Sequence, residues 1–385
     1  MKKPLLHELK RNLLPLVVFT AIAVVIAVGV AMSSNYISET GKRIENSSIE
    51  CSAVILCILC TVTPVLQFSY RMKQRSVDLW YSLPITRKQL AFVRTAGGLV
   101  LTLVPFTLAY WLSAAAIALR GSELHYFYYL PAYGLLLLLG AGLFGVNAFL
   151  FTRGNTVADG IVFIAAWACA LPLVNFCVSM AVQSYEFSVG GEHLIGDALG
   201  MLLFTYSPVS TVTKLMHEWI MEGRLEELIR IGNSLVSYEY PVQFAFLFAL
   251  FFGLAESAAA YLSLFLLADR DKSENAAQVS SSWWGYKVII PVYAIAVYAV
   301  LVVGFGVGGG WRIDLLYYTV IAAAVIFVLY FIYRRSFRLK KWDIIMVAVI
   351  LAAGFLLGCV LYGTDLLILR LSRGIDLLSV LSEAV

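Results

Sequence analysis

The chain has 385 residues, of which 61% are hydrophobic and 14% charged, with a mean hydropathy of +0.85 and a formal net charge of +4. That much apolar side chain exceeds what a soluble core buries, so the composition points to insertion in a bilayer. Lipid forces the backbone to satisfy itself, in helices or a closed barrel, and apolar runs of about twenty residues fit helices and exclude the ten-residue alternation of barrel strands.

The expected fold is an all-α polytopic bundle of nine spans, at 13–32, 51–70, 95–118, 131–151, 160–182, 242–268, 286–305, 315–333 and 342–362. The first run follows Lys2, Lys3, Lys10 and Arg11. It is longer than the apolar core of a signal peptide, typically about 7–15 residues, and reads as a retained anchor. With the N-terminus inside, 19 of the 28 Lys and Arg fall in inner segments, while 16 of the 24 acids fall outside. This asymmetry supports the orientation and the odd span count, which puts the C-terminus outside. The positive net charge is then a matter of topology, not of a nucleic-acid partner.

All six cysteines lie in apolar runs. Cys57 and Cys60 form a CxxC pair in the second span, with no second pair or histidine near it, so packed thiols fit better than metal or redox chemistry.

The inner segment 71–94 follows. Val77, Trp80 and Tyr81 stand at i, i+3, i+4 and share one helical face; Lys73, Arg75 and Asp78 lie off it. Pro84 ends that helix and pushes Leu83 toward an extended shape. Thr86 and Gln89 fit a capping box, with Ile85 and Leu90 placed as a hydrophobic staple, so a new helix starts at Thr86 and runs into the third span. Two readings fit this stretch: an element that passes a push from an inner-face partner into the bundle, or a plain positive-inside loop.

Beyond the fifth span lies a long outer segment, 183–241. Val212, Leu215, Met216, Trp219 and Ile220 recur there at helical spacing, as do Leu225, Leu228 and Ile229. It reads as an amphipathic outer lid or as a helix packed on the spans. Glu256 stands in the middle of the sixth span, where an ionisable group costs a few kcal/mol and therefore faces the bundle or a water-filled cavity. Asn175 of the fifth span sits at a similar depth and is a candidate hydrogen-bond partner. The pair is either a polar point on a substrate path or a structural link between helices. Pro64, Pro105 and Pro172 permit kinks in three spans.

Residues 269–285 are polar and Ser-rich and read as an inner linker, ending in Trp283 and Trp284, which suit an interfacial anchor. The expected organisation is a core at 1–268, the linker at 269–285, and three further spans with a short outer tail at 286–385. Gly304-x-Gly306-x-x-Gly309 matches a dinucleotide spacing but ends a span, with no strand before it, and reads as close packing or a turn. His7, His125, His193 and His217 are scattered, and no catalytic triad, paired carboxylates or HExxH pattern is present. The chain reads as a non-enzyme.

Arg75-Ser-Val-Asp78 followed by Ser82-Leu-Pro-Ile-Thr-Arg87 resembles the inner loop of ABC-transporter permeases of the type-2 exporter class. More narrowly, it is similar to the Gram-positive branch that includes the acetoin-utilisation, lantibiotic-immunity and phenol-soluble-modulin exporter permeases. Lys272-Ser-Glu274-Asn-Ala276 and Tyr206-Ser-Pro-Val-Ser210 also look like that group. The resemblance covers roughly 1–290, and the last three spans depart from a six-span plan. It implies a coupling helix seated in a cleft of an ATP-binding subunit, with Arg75, Asp78, Leu79, Ser82, Leu83, Pro84, Thr86 and Arg87 as contact candidates. It also implies ATP and Mg held by that partner, a second permease copy or homologue, and a bacterial plasma-membrane setting. The chain has no GxxxxGK[ST], so energy must come from outside it. The expected function is outward movement of an amphipathic peptide, drug or lipid-like substrate. The alternatives are a sensor or immunity protein binding peptide or lipid through 183–241, and an ion-driven transporter centred on Glu256.

Overall fold

The computed structural model describes residues 2–33, 47–82, 84–120, 126–180, 204–213, 242–270, 276–278, 280, 282, 284–303, 313–334, 337 and 341–383. Among these there is no strand. The helices, in chain order, are α1 (Lys2–Arg11), α2 (Leu13–Ser33), α3 (Ser47–Phe68), α4 (Gln74–Tyr81), α5 (Arg87–Leu119), α6 (Tyr126–Thr152), α7 (Val157–Met180), α8 (207–213), α9 (Val242–Leu267), α10 (Tyr286–Leu301), α11 (Ile313–Arg334) and α12 (Lys341–Glu383). Short 3-10 turns follow α3, at Ser69–Met72, and α9, at Ala268–Arg270. Eight of the described helices are long and apolar enough to cross a membrane, and α10 is a shorter apolar helix in the place of the seventh predicted span. The chain is a multi-pass all-α membrane bundle.

It divides into two compact units. The first holds residues 1–165 and 205–280, and the second residues 166–204 and 281–385, so α7 passes from one to the other.

In the first unit α2 packs on α5 and α3, α3 on α5 and α6, α6 on α9, and α1 on α5. α2 shows how lipid inverts the usual pattern. Its buried residues are Ala23, Ala27 and Ala31, four apart on one stripe, set against Ile55, Leu59 and Ala109 in one cluster and Ala116 and Ile117 in another. Leu14, Val17, Ile22 and Val25 point outward. Small residues let the backbones approach, and large apolar ones suit acyl chains. The α6–α9 contact follows the same logic at Gly145, where an added Cβ would lie 2.5 Å from the Tyr261 ring. That ring is fixed by its hydroxyl, which donates to the Ala141 carbonyl at 2.6 Å. Pro64, Pro105 and Pro172 are inside α3, α5 and α7, as the sequence reading placed them.

The second unit is built on α10 against α12, with α11 packed on both. Ile290, Ile326, Tyr330, Val347 and Ile350 form its largest described core cluster. Tyr298 and Thr319 join α10 to α11 through their hydroxyls at 2.7 Å. α12 continues for 43 residues, well past the predicted end of its span at 362. Gly363 does not stop it: after Thr364 and Asp365, Leu-rich sequence resumes at Leu366 and keeps the helix favourable.

The segment read as a polar linker is tied down where described. Ala277 N donates to the Asn155 carbonyl at 3.0 Å, and Ser280 Oγ to the Arg153 carbonyl at 3.1 Å. Trp284 is 42% exposed and its carbonyl accepts from Trp167 Nε1 at 2.7 Å; Trp283 lies outside the described residues, as do 304–312 with the glycine pattern.

Candidate functional site

The stretch 74–90 folds as its local chemistry dictates. α4 covers Gln74–Tyr81 and Ser82 caps it, its N–H reaching the Asp78 carbonyl at 3.1 Å. The chain then breaks around Pro84. Thr86 Oγ1 accepts from the Gln89 N–H, and Gln89 Oε1 accepts from the Thr86 N–H, both at 3.2 Å. This reciprocal box satisfies two otherwise orphaned donors and starts α5 at Arg87.

The two faces of α4 differ sharply. Val77 is fully buried, and Trp80 and Tyr81 are half-buried. Arg75, Asp78, Leu79 and Ser82 stand at i, i+3, i+4 and i+7 and are exposed, as are Pro84 and Thr86. Leu79, at 66% exposed, is an apolar residue in the middle of a polar face. Leu83 lies outside the described residues. Arg87 turns back: its guanidinium lies 4.7 Å from the Tyr81 ring centre and donates to the Asp269 carbonyl at 3.3 Å. Lys88 pairs with the Asp269 carboxylate at 2.9 Å, so the 3-10 turn after α9 is held against the start of α5. This exposed pair is worth little, well under 1 kcal/mol, and its role is placement.

What holds the inner face of α4 is a feature that sequence reasoning missed. Arg94, two turns into α5, is 2% exposed and sits between two rings, 4.1 Å from Trp80 and 4.4 Å from Tyr70. Its Nη1 donates to Glu8 Oε1 at 3.1 Å, and Glu8 is equally buried. The same carboxylate oxygen takes Arg11 Nη2 at 2.6 Å and Asn12 Nδ2 at 3.2 Å. Gly97 makes the approach of α1 possible, since a Cβ there would lie 3.1 Å from Glu8 Cγ. A buried cation flanked by aromatic faces and a buried carboxylate is a stiff joint, because losing either partner leaves an uncompensated charge. α1, the turn after α3, α4 and α5 thus form one block. The only sequence signal was an arginine seven residues after the Thr86–Arg87 helix start, which alone reads as one more positive-inside charge.

A second polar set lies deeper in the same unit. The segment 205–213 was expected in an outer lid or packed on the spans; the described part is packed inside. Tyr206 Oη meets Thr61 Oγ1 at 3.0 Å in the C-terminal half of α3, and accepts from Asn147 Nδ2 at 3.2 Å in the C-terminal third of α6. Both helices run toward the α4 end, so the segment dips into the bundle. Val209 and Val212 are buried, and Pro208 packs on Gly253 of α9. Thr205 Oγ1 donates to Glu256 Oε1 at 3.3 Å. The cavity beside Glu256 and Ser257 is about 10 Å³, room for one water at most. Asn175 is buried in the second unit. Residues 214–241, with the rest of the predicted amphipathic stripe, lie outside the described residues.

Among the described residues no group of three or more His, Cys, Asp or Glu is placed to hold a metal ion. Comparison of the chain with protein-family models, with curated proteins and with solved structures finds no match.

Proposed function

We propose that the chain is the membrane-spanning subunit of an exporter driven by ATP hydrolysis in a separate subunit, which docks on residues 71–94. The observation that carries this reading is the two-faced α4. Its outer face offers Arg75, Asp78, Leu79 and Ser82 to a partner, with Pro84 and Thr86 beside them. Its inner face is locked through Trp80 and Arg94 to a helix that crosses the bundle. Leu79 stands among Arg75, Asp78 and Ser82, and an apolar residue beside charged and polar ones is how a small docking face gains both affinity and register. Force applied at α4 moves α5 with it, because the joint between them is buried and charged. A second copy or a homologous partner completes the path, and the cargo is an amphipathic peptide, drug or lipid-like molecule moved outward across a bacterial plasma membrane.

The test is affinity purification from mild detergent. Wild-type chain should carry an ATP-hydrolysing protein with it, and Leu79→Glu or Asp78→Lys should release that protein while leaving the thermal midpoint of the chain unchanged. Both side chains are exposed, so the substitutions spare the fold. An ATPase that stays bound to both variants, or none bound to wild type, would overturn the assignment.

A further inference from the structure

The same end of the first unit holds a cavity of about 330 Å³, bounded by α1, the start of α2, the end of α3 with its 3-10 turn, α4 and α5. Its charged wall is Arg11, Lys73 and Arg94; Gln67 and Ser76 add polar groups, and Leu66 closes the apolar side. We infer that this cavity binds the phosphate headgroup of an anionic phospholipid.

The first argument is charge. Among the described residues Glu8 is the carboxylate in contact with the cluster, and its Oε1 already serves Arg11, Arg94 and Asn12. Two guanidinium groups on one carboxylate leave an excess positive charge beside a buried site, and Lys73 adds to it. The excess sits on Arg11 and Lys73, which reach solvent, where it draws an anion to the cavity.

The second argument is unmet hydrogen bonding. Arg94 is 98% buried, yet its Nε and Nη2 have no hydrogen-bond partner. The Trp80 and Tyr70 rings cover the faces of the guanidinium, and its in-plane donors are closed to solvent in this conformation, so a phosphate reaches them only when the cavity wall yields. Gln67, also 98% buried, has an amide oxygen without a partner.

The third argument is position and size. The cavity lies where α2 begins and α3 ends, the level at which headgroups meet acyl chains. Leu66 is 48% exposed and Leu14, nearby on α2, 76% exposed, so the apolar side continues onto surface that suits acyl chains. The volume is at the small end for ligand pockets and fits a headgroup rather than a whole lipid. An occupant here would touch α1, α4 and α5 at once and would set how firmly the block is held.

Native mass spectrometry of the full chain, released from mild detergent with added phosphatidylglycerol or phosphatidylcholine, tests the inference. One phosphatidylglycerol should be retained at least tenfold better than phosphatidylcholine. Arg11→Gln with Lys73→Gln should cut that retention about thirtyfold, the usual worth of two basic side chains beside anionic lipid. Lys287→Gln with Lys341→Gln, which removes the same charge from exposed positions in the second unit, should not. Ser76→Glu, which places an acid in the wall, should also abolish retention and serves if the double variant is unstable. Equal retention of both lipids, equal loss in the Lys287 and Lys341 control, or displacement of the lipid by an equal concentration of inorganic phosphate would overturn the assignment, the last by showing a soluble anion as occupant.

Discussion

The Arg94 guanidinium lies 4.1 Å from the centre of the Trp80 ring, joining the first turns of α5 to α4. A desolvated cation–π contact is worth about 2 kcal/mol, more than any exposed ion pair in the region. Trp80→Leu should therefore lower stability by about 2–3 kcal/mol, and Trp80→Phe by about half as much, read as thermal midpoints of the purified chain in detergent. Equal midpoints for the two variants would show that the ring contributes shape alone.

The two ion pairs on Glu8 should respond very differently. Arg11 is partly exposed and its pair with Glu8 is worth under about 1 kcal/mol, so Arg11→Gln should be mild. Glu8→Gln leaves Arg94 buried with no counter-charge and should cost about 3–5 kcal/mol. The double variant Glu8→Gln with Arg94→Met removes both buried charges and should recover part of that loss. A double variant less stable than Glu8→Gln alone would refute the charge argument.

Tyr206→Phe removes two hydrogen bonds but orphans neither partner. Thr61 keeps its bond to the Cys57 carbonyl, and Asn147 Nδ2 keeps its bond to the Cys60 carbonyl. The cost should be about 1–2 kcal/mol, the net value of the bonds and not the larger penalty of stranded groups. A loss above about 4 kcal/mol would mean that Tyr206 organises the dipping segment as a whole.

Glycines in α6 divide by what surrounds them. Gly145 faces the Tyr261 ring, which its own hydrogen bond to Ala141 holds in place, so Gly145→Ala should cost about 1–3 kcal/mol by overpacking. Gly134 has open space at its Cβ position, and Gly134→Ala should be neutral or raise stability by up to about 1 kcal/mol. Circular dichroism melts of the two variants side by side decide the matter, and matching losses would rule out the packing argument.

The spans were legible because bilayer thickness sets their length and hydropathy marks them: Leu13–Ser33 and Leu315–Tyr333 agree with the sequence reading to a residue or so. The Thr86–Gln89 capping box was legible because it is local chemistry. Arg94 was not, because nothing in its neighbours announces a carboxylate 86 positions earlier in the chain. The seat of Tyr206 was hidden for a related reason. Its hydroxyl is satisfied by Thr61 and Asn147, and a tyrosine beside serine and proline looks equally at home in an aqueous loop. The exposed face of α4 was readable from spacing alone, whereas the stiffness behind it needed the fold.

α12 carries a last consequence. Its 43 residues rise about 65 Å at 1.5 Å each, roughly twice the hydrocarbon thickness of about 30 Å. Tilt absorbs only a fraction of the difference. The far half of this rod must therefore stand clear of the acyl layer as a stalk or recline along the headgroups, and either posture carries the second unit beyond the acyl chains over a length that the 16-residue α10 and 22-residue α11 do not have.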